Sequence, residues 1–286
     1  MQNEAYILNL PARRETPVVF SSPHSGRDYP AAFLQTTVLD RNAIRSSEDA
    51  FVDELFDSAP QFGAPLMVAR APRAFLDLNR AFDELDPAVI EGVERSAHNP
   101  RVASGLGVIP RVVAGGRAIY RGKLSRIEAE DRIARYWHPY HARLGNLLAE
   151  SHREFGVAVL VDCHSMPREA IENHSRPGTL RPQVVLGDRF GAAVGSEVMD
   201  RIEAAFVRSG LRVSRNAPFA GAFITQNYGR PSRGFHAVQV EIDRSLYMDE
   251  ARVEKSVDFE DFRLLLRGVI AELAEIGRLD KALAAE

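Results

Sequence analysis

The stretch VAVLVDCHSMP, residues 157–167, indicates the fold class of this chain. Residues 157–163 are almost all apolar, which is typical of a strand that helices cover on both faces. Strands of this kind belong to the parallel sheets of α/β proteins. The polar residues Asp162 and His164 stand where the apolar run ends. Because ligands of open α/β sheets bind beyond the carboxyl ends of the strands, this end is a candidate site.

Other short apolar runs predict further strands, and longer amphipathic runs between them predict helices. The predicted strands cover residues 17–20, 65–69, 157–163, 183–187, 211–214 and 236–242. The predicted helices cover residues 123–155, 188–209 and 258–284. Strands that alternate with helices predict an α/β sandwich of three layers. We expect residues 1–286 to form a single domain.

The composition is that of an ordinary globular protein, with 45% hydrophobic and 26% charged residues. The net charge of −3, with acids and bases interspersed, argues against nucleic-acid and membrane-surface partners. The apolar runs are too short to span a membrane, and the N-terminal residues lack the pattern of a secretory signal. The one cysteine, Cys163, cannot form an intrachain disulfide, and we expect it to be buried and unreactive. The predicted location is therefore the cytoplasm.

Two more predicted strands end in residues that bind metals or transfer protons. His24 follows the strand in VVFSSPHSGRDYP, and Glu241 lies in AVQVEIDR. Two histidines with carboxylates are the ligand inventory of a catalytic zinc site, which leaves one position for water. Structural interpretations stay open at this point. His24 could close a turn, His164 could form a buried pair with Asp162, and Glu241 could face solvent.

The third metal ligand is less clear than the two histidines. Sites of the carboxypeptidase type read His-x-x-Glu, but position 27 is Arg27 and the next acid is Asp28. The acids Glu48 and Asp49 in RSSEDAFVDELF are the better candidates, and we favour Asp49 slightly. Alternatively, both acids could simply favour the positive end of a helix dipole.

The stretch WHPYH, residues 137–141, brings two histidines three positions apart within the first predicted helix. Pro139 removes a backbone donor and is expected to kink or split this helix. With aromatic residues on either side, we interpret His138 and His141 as part of a packed kink rather than as a second metal site.

Taken together, these motifs resemble the N-formylglutamate amidohydrolase (deformylase) family over about residues 15–250. The blocks that carry the resemblance stand in this order: SSPHSGRDYP, EDAFVDELF, FLDLNRAFDELDP, IYRGKLS, YWHPYH, LVDCHSMP, VVLGDRFG, APFAGAFITQNYG and VQVEIDRSLYMDE. The resemblance implies a fold similar to zinc-dependent exopeptidases, of the phosphorylase/hydrolase-like type, with a mixed, mostly parallel central sheet. It also implies that His24 and His164 bind the metal and that Glu241 is the catalytic acid/base. It supports the acids Glu48 and Asp49 as third ligand without choosing between them.

Asn79 and Arg80 in LDLNR gain a role through the resemblance, because an Asn-Arg pair in related exopeptidases binds a substrate carboxylate. A guanidinium suits a carboxylate since it forms two parallel hydrogen bonds. A dicarboxylate needs more than one cation, and three further candidates are Arg121, Arg233 and Arg244. The loop NYGRPSRG, residues 227–234, either closes over the site or is a passive connection.

The predicted reaction is hydrolysis of the amide of an N-acyl amino acid, with N-formyl-L-glutamate as the expected substrate and one divalent ion, zinc, as the expected cofactor. The family's namesake reaction belongs to histidine catabolism. Glu241 would take the proton of water, and Asp162 would orient a metal-bound histidine. A zinc carboxypeptidase, another N-acyl amidase and a non-enzymatic metal-binding scaffold are the alternatives. The sequence leaves a homo-oligomer open.

Overall fold

The computed structural model describes residues 5–94, 99–172 and 180–278. Seven strands form one sheet in the described residues, with the spatial order first, third, second, fourth, seventh, fifth and sixth. In chain order they are β1 (Tyr6–Asn9), β2 (Val18–Ser22), β3 (Leu66–Ala69), β4 (Ala158–Met166), β5 (Val184–Gly187), β6 (Val213–Arg215) and β7 (Phe235–Asp243). A small antiparallel pair, β8 (Met248–Asp249) and β9 (Glu254–Lys255), lies outside this sheet.

The sheet is mixed and mostly parallel, as predicted. Strand β2 pairs in parallel with β3 and β4, and β4 pairs in parallel with β7. Strand β1 is antiparallel to β3, and β5 is antiparallel to β7. All nine residues of β4 are buried, in agreement with the uninterrupted apolar run from which this strand was predicted.

Helices lie on both faces of the sheet. They are α1 (Ala31–Thr36), α2 (Val52–Leu55), α3 (Pro100–Ala103), α4 (Arg126–Arg132), α5 (His138–Phe155), α6 (Arg168–Glu172), α7 (Ser196–Arg208), α8 (Phe223–Tyr228) and α9 (Phe259–Ala274). Alternate residues of the strands point to opposite faces. Val159 and Val161 therefore pack in one core with α7 and α9, while Leu160 packs in the other with α5. The predicted three-layer α/β fold is confirmed, and the single domain stays a prediction.

The structure adds to or differs from the sequence-based prediction in several details, including the short helices α1, α3, α6 and α8. Strand β1 was not predicted, and its alternating exposure is that of an edge strand. Helix α7 begins at Ser196 rather than at 188, because Arg189, Phe190 and Gly191 have positive φ angles, which no helix contains. Helix α9 ends at Ala274, and part of its predicted extension lies outside the described residues. The first predicted helix contains a π-helical turn, Ile133–Trp137, just before Pro139.

The four parallel strands β3, β2, β4 and β7 end at the same edge of the sheet, so the residues at their carboxyl ends converge there. Segments after β2 and β3 carry His24 and residues 73–80 to this edge, and β4 and β7 bring His164 and Glu241. Within the described part of the chain, every helix is too short or too polar to cross a membrane.

Candidate active site

His24, Asp49 and His164 form a compact cluster at the carboxyl edge of the sheet. Each offers one ligand atom, and these atoms all lie within 4.8 Å of one another. Nδ1 of His164 lies 2.9 Å, and Nδ1 of His24 3.4 Å, from the same oxygen of Asp49, Oδ2. All three side chains are buried. Two imidazoles and one carboxylate, all facing a common point, are a ligand set that zinc accepts.

A second carboxylate fixes the orientation of each histidine. Nε2 of His24 donates to Oδ1 of Asp77 at 2.7 Å, and Nε2 of His164 donates to Oδ2 of Asp162 at 2.9 Å. When the only ring proton is on Nε2, the Nδ1 lone pair of each ring faces the cluster and can bind a metal ion. Nδ1 of His24 is buried and has no hydrogen-bond partner among the described residues. Such an unpaired buried nitrogen is costly unless a ligand occupies the space in front of it.

The carboxylates of the cluster are held in their charged form. Burial raises the pKa of Asp49, but the hydrogen bond from His164 and the proximity of both His164 and His24 outweigh burial and hold the pKa well below the usual range. Burial likewise raises the pKa of Asp77, and Arg73 and His24 lower it well below the usual range. Nε of Arg73 donates to Asp77 at 3.0 Å. The site therefore combines buried anions with two histidines, which favours a bound cation.

Asp49 is further positioned by residues from distant parts of the chain. Arg244 donates from Nη2 to Oδ1 of Asp49 at 3.1 Å and from Nε to the hydroxyl of Ser165 at 3.2 Å. Two residues after Asp49, Phe51 adopts a left-handed conformation with φ of 66°. This conformation is uncommon for a bulky residue, and such strain recurs where a functional side chain must be held in one orientation.

Glu48 does not join the cluster. Its carboxylate accepts from Nε of Arg45 at 3.1 Å and from the hydroxyl of Tyr29 at 2.5 Å. Both partners, Arg45 and Tyr29, line a surface hollow that is separate from the histidine cluster. Of the two acids that the sequence offered, the geometry brings only Asp49 to the histidines.

Glu241 lies in the same cavity as the histidine cluster. Its neighbour two positions earlier, Gln239, donates from Nε2 to Oε1 of Glu241 at 2.7 Å. Burial, together with the negative charge of Asp49, raises the pKa of Glu241 to about 7, against the opposing effects of His164 and Gln239. A carboxylate with a pKa near neutrality is suited to accept and return a proton at physiological pH.

The cavity has a volume of about 310 Å³ and carries four arginines on its wall: Arg73, Arg80, Arg101 and Arg244. The guanidinium of Arg80 donates from Nε to the carbonyl of Leu106 at 2.8 Å and from Nη1 to that of Asn79 at 2.8 Å. Its Nη2 has no partner within the described ranges, so it is available to a ligand. The side chain of Asn79, in contrast, is hydrogen-bonded to the protein itself, since its Oδ1 accepts from the backbone N–H of Ile224 at 2.8 Å.

Two of the arginines proposed from the sequence do not line the cavity. Arg121 is exposed and does not line the cavity. Arg233 precedes β7, so it lies at the amino edge of the sheet, roughly 25 Å from the carboxyl edge at 3.3 Å per residue. The loop containing Arg233 therefore cannot close over the site. Arg244 does line the cavity, although its guanidinium is engaged with Asp49 and Ser165.

Sequence reasoning missed four residues of the site: Arg73, Asp77, Arg101 and Gln239. Two signals were present for them. Asp77 stands in FLDLNR, two positions before Asn79, and it was read as part of a motif without a role. Gln239 alternates with Glu241 along β7, so both side chains share one face of the sheet. Arg73 and Arg101 have no sequence signal beyond their charge.

Comparison with known proteins adds to this geometry. Residues 16–248 match the family described as FGase, N-formylglutamate amidohydrolase. The chain belongs to this family. It is 31% identical to an N-formylglutamate deformylase of Pseudomonas aeruginosa over 93% of this chain and 96% of that protein. A protein of the same name from Pseudomonas putida is 30% identical over 82% of each chain.

A solved structure supports the same assignment. The crystal structure of N-formylglutamate amidohydrolase from Ralstonia eutropha is similar with a TM-score of 0.89 and 34% identity, covering 96% of this chain and 99% of that one. The family resemblance predicted from the motifs is thus confirmed. As a member, this chain is an amidohydrolase that acts on carbon–nitrogen bonds other than peptide bonds. The alternatives of a carboxypeptidase and of a non-enzymatic scaffold are not supported.

Proposed function

We propose that the chain is a metal-dependent hydrolase that cleaves N-formyl-L-glutamate to formate and glutamate. The observation that carries the proposal is the placement of His24, Asp49 and His164 beside Glu241 in one arginine-lined cavity. The relatives named N-formylglutamate deformylase, similar over most of their length, support this choice of substrate.

The donor set fits a divalent ion, and zinc is the expected one. His24 and His164 would bind it through Nδ1 and Asp49 through a carboxylate oxygen, while Asp77 and Asp162 keep the imidazoles in the correct tautomer. Among the described residues, the buried Nδ1 of His24 has no hydrogen-bond partner, as expected of a nitrogen that binds a metal. When bound, such an ion supplies a Lewis acid and lowers the pKa of water at the site.

Glu241 is assigned the proton transfers. Its carboxylate accepts the proton of the attacking water and returns it to the nitrogen that leaves as the amine of glutamate. Gln239 holds Oε1 at 2.7 Å and so directs the other oxygen, Oε2, toward the cavity. The raised pKa lets Glu241 take up and release the proton near neutral pH.

The arginines of the wall are assigned the carboxylates of the substrate. Arg80 offers Nη2 from a guanidinium whose other nitrogens are fixed by backbone carbonyls, so little side-chain entropy is lost when a carboxylate binds. Arg101 lines the same cavity, and its guanidinium forms no hydrogen bond or ion pair within the described ranges. Two cations that form no direct ion pair within the described ranges match the two carboxylates of N-formylglutamate.

The proposal is tested by measuring formate release from N-formyl-L-glutamate, with N-formyl-L-aspartate as a shorter dicarboxylate. N-acetyl-L-glutamate, assayed through release of glutamate, tests the acyl group. We expect N-formyl-L-glutamate to have the highest kcat/KM of the three. A higher kcat/KM for N-acetyl-L-glutamate would replace the deformylase by another N-acyl amidase, and no turnover of any of the three by metal-loaded protein would refute the substrate class.

A further inference from the structure

The backbone of Leu78, Asn79 and Arg80 has all three of its carbonyl oxygens occupied by side chains. Nε2 of His141 donates to the carbonyl of Leu78 at 2.9 Å, and the indole Nε1 of Trp137 donates to that of Arg80 at 2.9 Å. Between them, the carbonyl of Asn79 accepts from Nη1 of Arg80 itself at 2.8 Å. Residues 78–80, which include Arg80 with its free Nη2, are therefore hydrogen-bonded at both ends to the helical stretch that contains Trp137 and His141.

The two donors are themselves rigidly held. The rings of Trp137 and His141 lie in contact, with centroids 4.1 Å apart and planes inclined by 37°, and Phe223 packs against both. Nδ1 of His141 lies 2.9 Å from the hydroxyl of Tyr228. Burial lowers the pKa of His141 to about 4, so the ring is neutral and keeps its proton on Nε2, facing Leu78. Neither donor can turn away without leaving a buried polar group unpaired.

The π-helical turn Ile133–Trp137 explains how one helix presents these donors in a row. Arg132, at the start of the turn, donates from Nη1 to the carbonyl of Phe75 at 3.1 Å. A π turn contains one residue more than an α-helical turn. Trp137, the fifth residue after Arg132, therefore takes the position that the fourth residue would have in an α-helix. With His141 four residues later, the three donors lie on one stripe facing residues 75–80.

We propose that Trp137 and His141 are positioning residues that fix the guanidinium of Arg80 against the substrate carboxylate, and that the π turn exists to align them. This rests on the function proposed above, in which Arg80 binds that carboxylate. The guanidinium is held by the carbonyls of Leu106 and Asn79, and the hydrogen bonds from His141 and Trp137 hold the backbone on either side of the Asn79 carbonyl. A displacement of the order of 1 Å at a binding group is enough to weaken catalysis substantially.

Matched variants separate this role from simple packing. His141→Gln retains an amide donor at the place of Nε2, whereas His141→Asn can replace Nδ1 only. Trp137→Phe removes the indole donor and keeps a ring. Tyr136→Phe is the control, since Tyr136 lies in the same π turn and packs edge-on against Phe75. All are assayed as purified metal-loaded protein with N-formyl-L-glutamate.

We expect His141→Asn and Trp137→Phe to raise KM about tenfold with kcat and bound metal within roughly twofold of the wild type. His141→Gln and Tyr136→Phe should stay near the wild type. In an Arg80→Ala background, Trp137→Phe should cause no further loss of kcat/KM, because the two residues act through one another. Equal effects of the two His141 variants, or a full effect of Trp137→Phe without Arg80, would overturn the proposal.

Hydrogen–deuterium exchange of the peptide covering residues 76–81 tests the clamp without any substrate. Exchange should be faster in Trp137→Phe and His141→Asn than in the wild type and unchanged in His141→Gln. Unaltered exchange in all variants would overturn the clamp. If the wild type does not hydrolyse N-formyl-L-glutamate, the proposed function fails by that result alone, and the exchange data still decide whether Trp137 and His141 hold the segment.

Discussion

His164 and Glu241 lie directly opposite each other in the pairing of β4 with β7. Two residues earlier, Asp162 and Gln239 are paired in the same way, so each functional side chain has its supporting side chain on the same strand. Because the backbone ladder fixes these positions, a candidate metal ligand and a candidate proton acceptor are held side by side by two long interior strands of the sheet. Sites built on strands are more precise than sites built on loops.

The neighbouring acids Glu48 and Asp49 give a sharp test of the metal site. We expect Asp49→Asn to weaken zinc binding by more than about 100-fold, since it removes the only anionic ligand of the cluster. Glu48→Gln should bind zinc as the wild type does, because Glu48 contacts Arg45 and Tyr29 instead. Zinc affinity is measured by competition with a chromogenic chelator. Equal losses in the two variants would contradict the assignment of Asp49.

The carboxylates behind the histidines should matter for metal affinity without touching the metal. Asp77→Asn and Asp162→Asn remove a charged acceptor from Nε2 of His24 and His164, respectively. We expect each to lower zinc affinity about 10- to 100-fold. Asp28→Asn is the control, since Asp28 pairs with Arg70 at the surface. Wild-type affinity in both test variants would show that the histidines need no such orientation.

Glu241→Gln tests the proton-transfer role separately from metal binding. The substitution keeps the shape of the side chain and removes its ability to accept a proton. Bound zinc should stay at the wild-type level, while kcat falls by a factor of about 10² to 10⁴. Metal content and formate release are measured on the same preparation. Turnover within a few-fold of the wild type would exclude Glu241 as the general base.

The acid limb of the pH profile should respond to Gln239. Only the charged form of Glu241 accepts a proton, so kcat/KM should rise with pH through the pKa of Glu241, which burial raises to about 7. A bound cation lowers this pKa, and the limb should lie at or below that value. The hydrogen bond from Gln239 also lowers the pKa, so Gln239→Met should move the limb to higher pH by roughly one unit. A shift to lower pH would contradict this.

Arg101 is expected to recognise the second carboxylate of the substrate. Arg101→Met should raise KM for N-formyl-L-glutamate by about tenfold or more, the cost of one charge-assisted hydrogen bond. The same variant should change KM for N-formyl-L-alanine much less, since this compound has no side-chain carboxylate. Arg121→Met is the control, because Arg121 is also exposed but lies outside the cavity. Equal effects on both substrates would assign Arg101 to another role.

The sequence was sufficient to predict most of the fold because β4 and its neighbours are buried on both faces, and burial of this kind leaves continuous apolar runs. It was not sufficient for β1, whose four residues at the sheet edge alternate in exposure. Helix α7 was predicted to begin too early because the positive φ angles of Arg189 and Phe190 have no signature in composition.

The site was predictable to the extent that it depends on strand ends. His24, His164 and Glu241 were identified because parallel strands end at one edge of a sheet. Asp77 was missed because it meets His24 across 53 residues of sequence, and no local pattern encodes that contact. Arg233 lies at the amino edge of the sheet, away from the cavity, and its positive charge alone gave no indication of that position.

The central claim, that a metal held by His24, Asp49 and His164 is required for deformylation, is tested most directly by reconstitution. The protein is stripped with a chelator and titrated with zinc while formate release from N-formyl-L-glutamate is followed. We expect activity to be lost on stripping and to return in proportion to zinc, reaching a plateau at about one ion per chain. Full activity in the stripped protein, with zinc content verified as negligible, would contradict the claim.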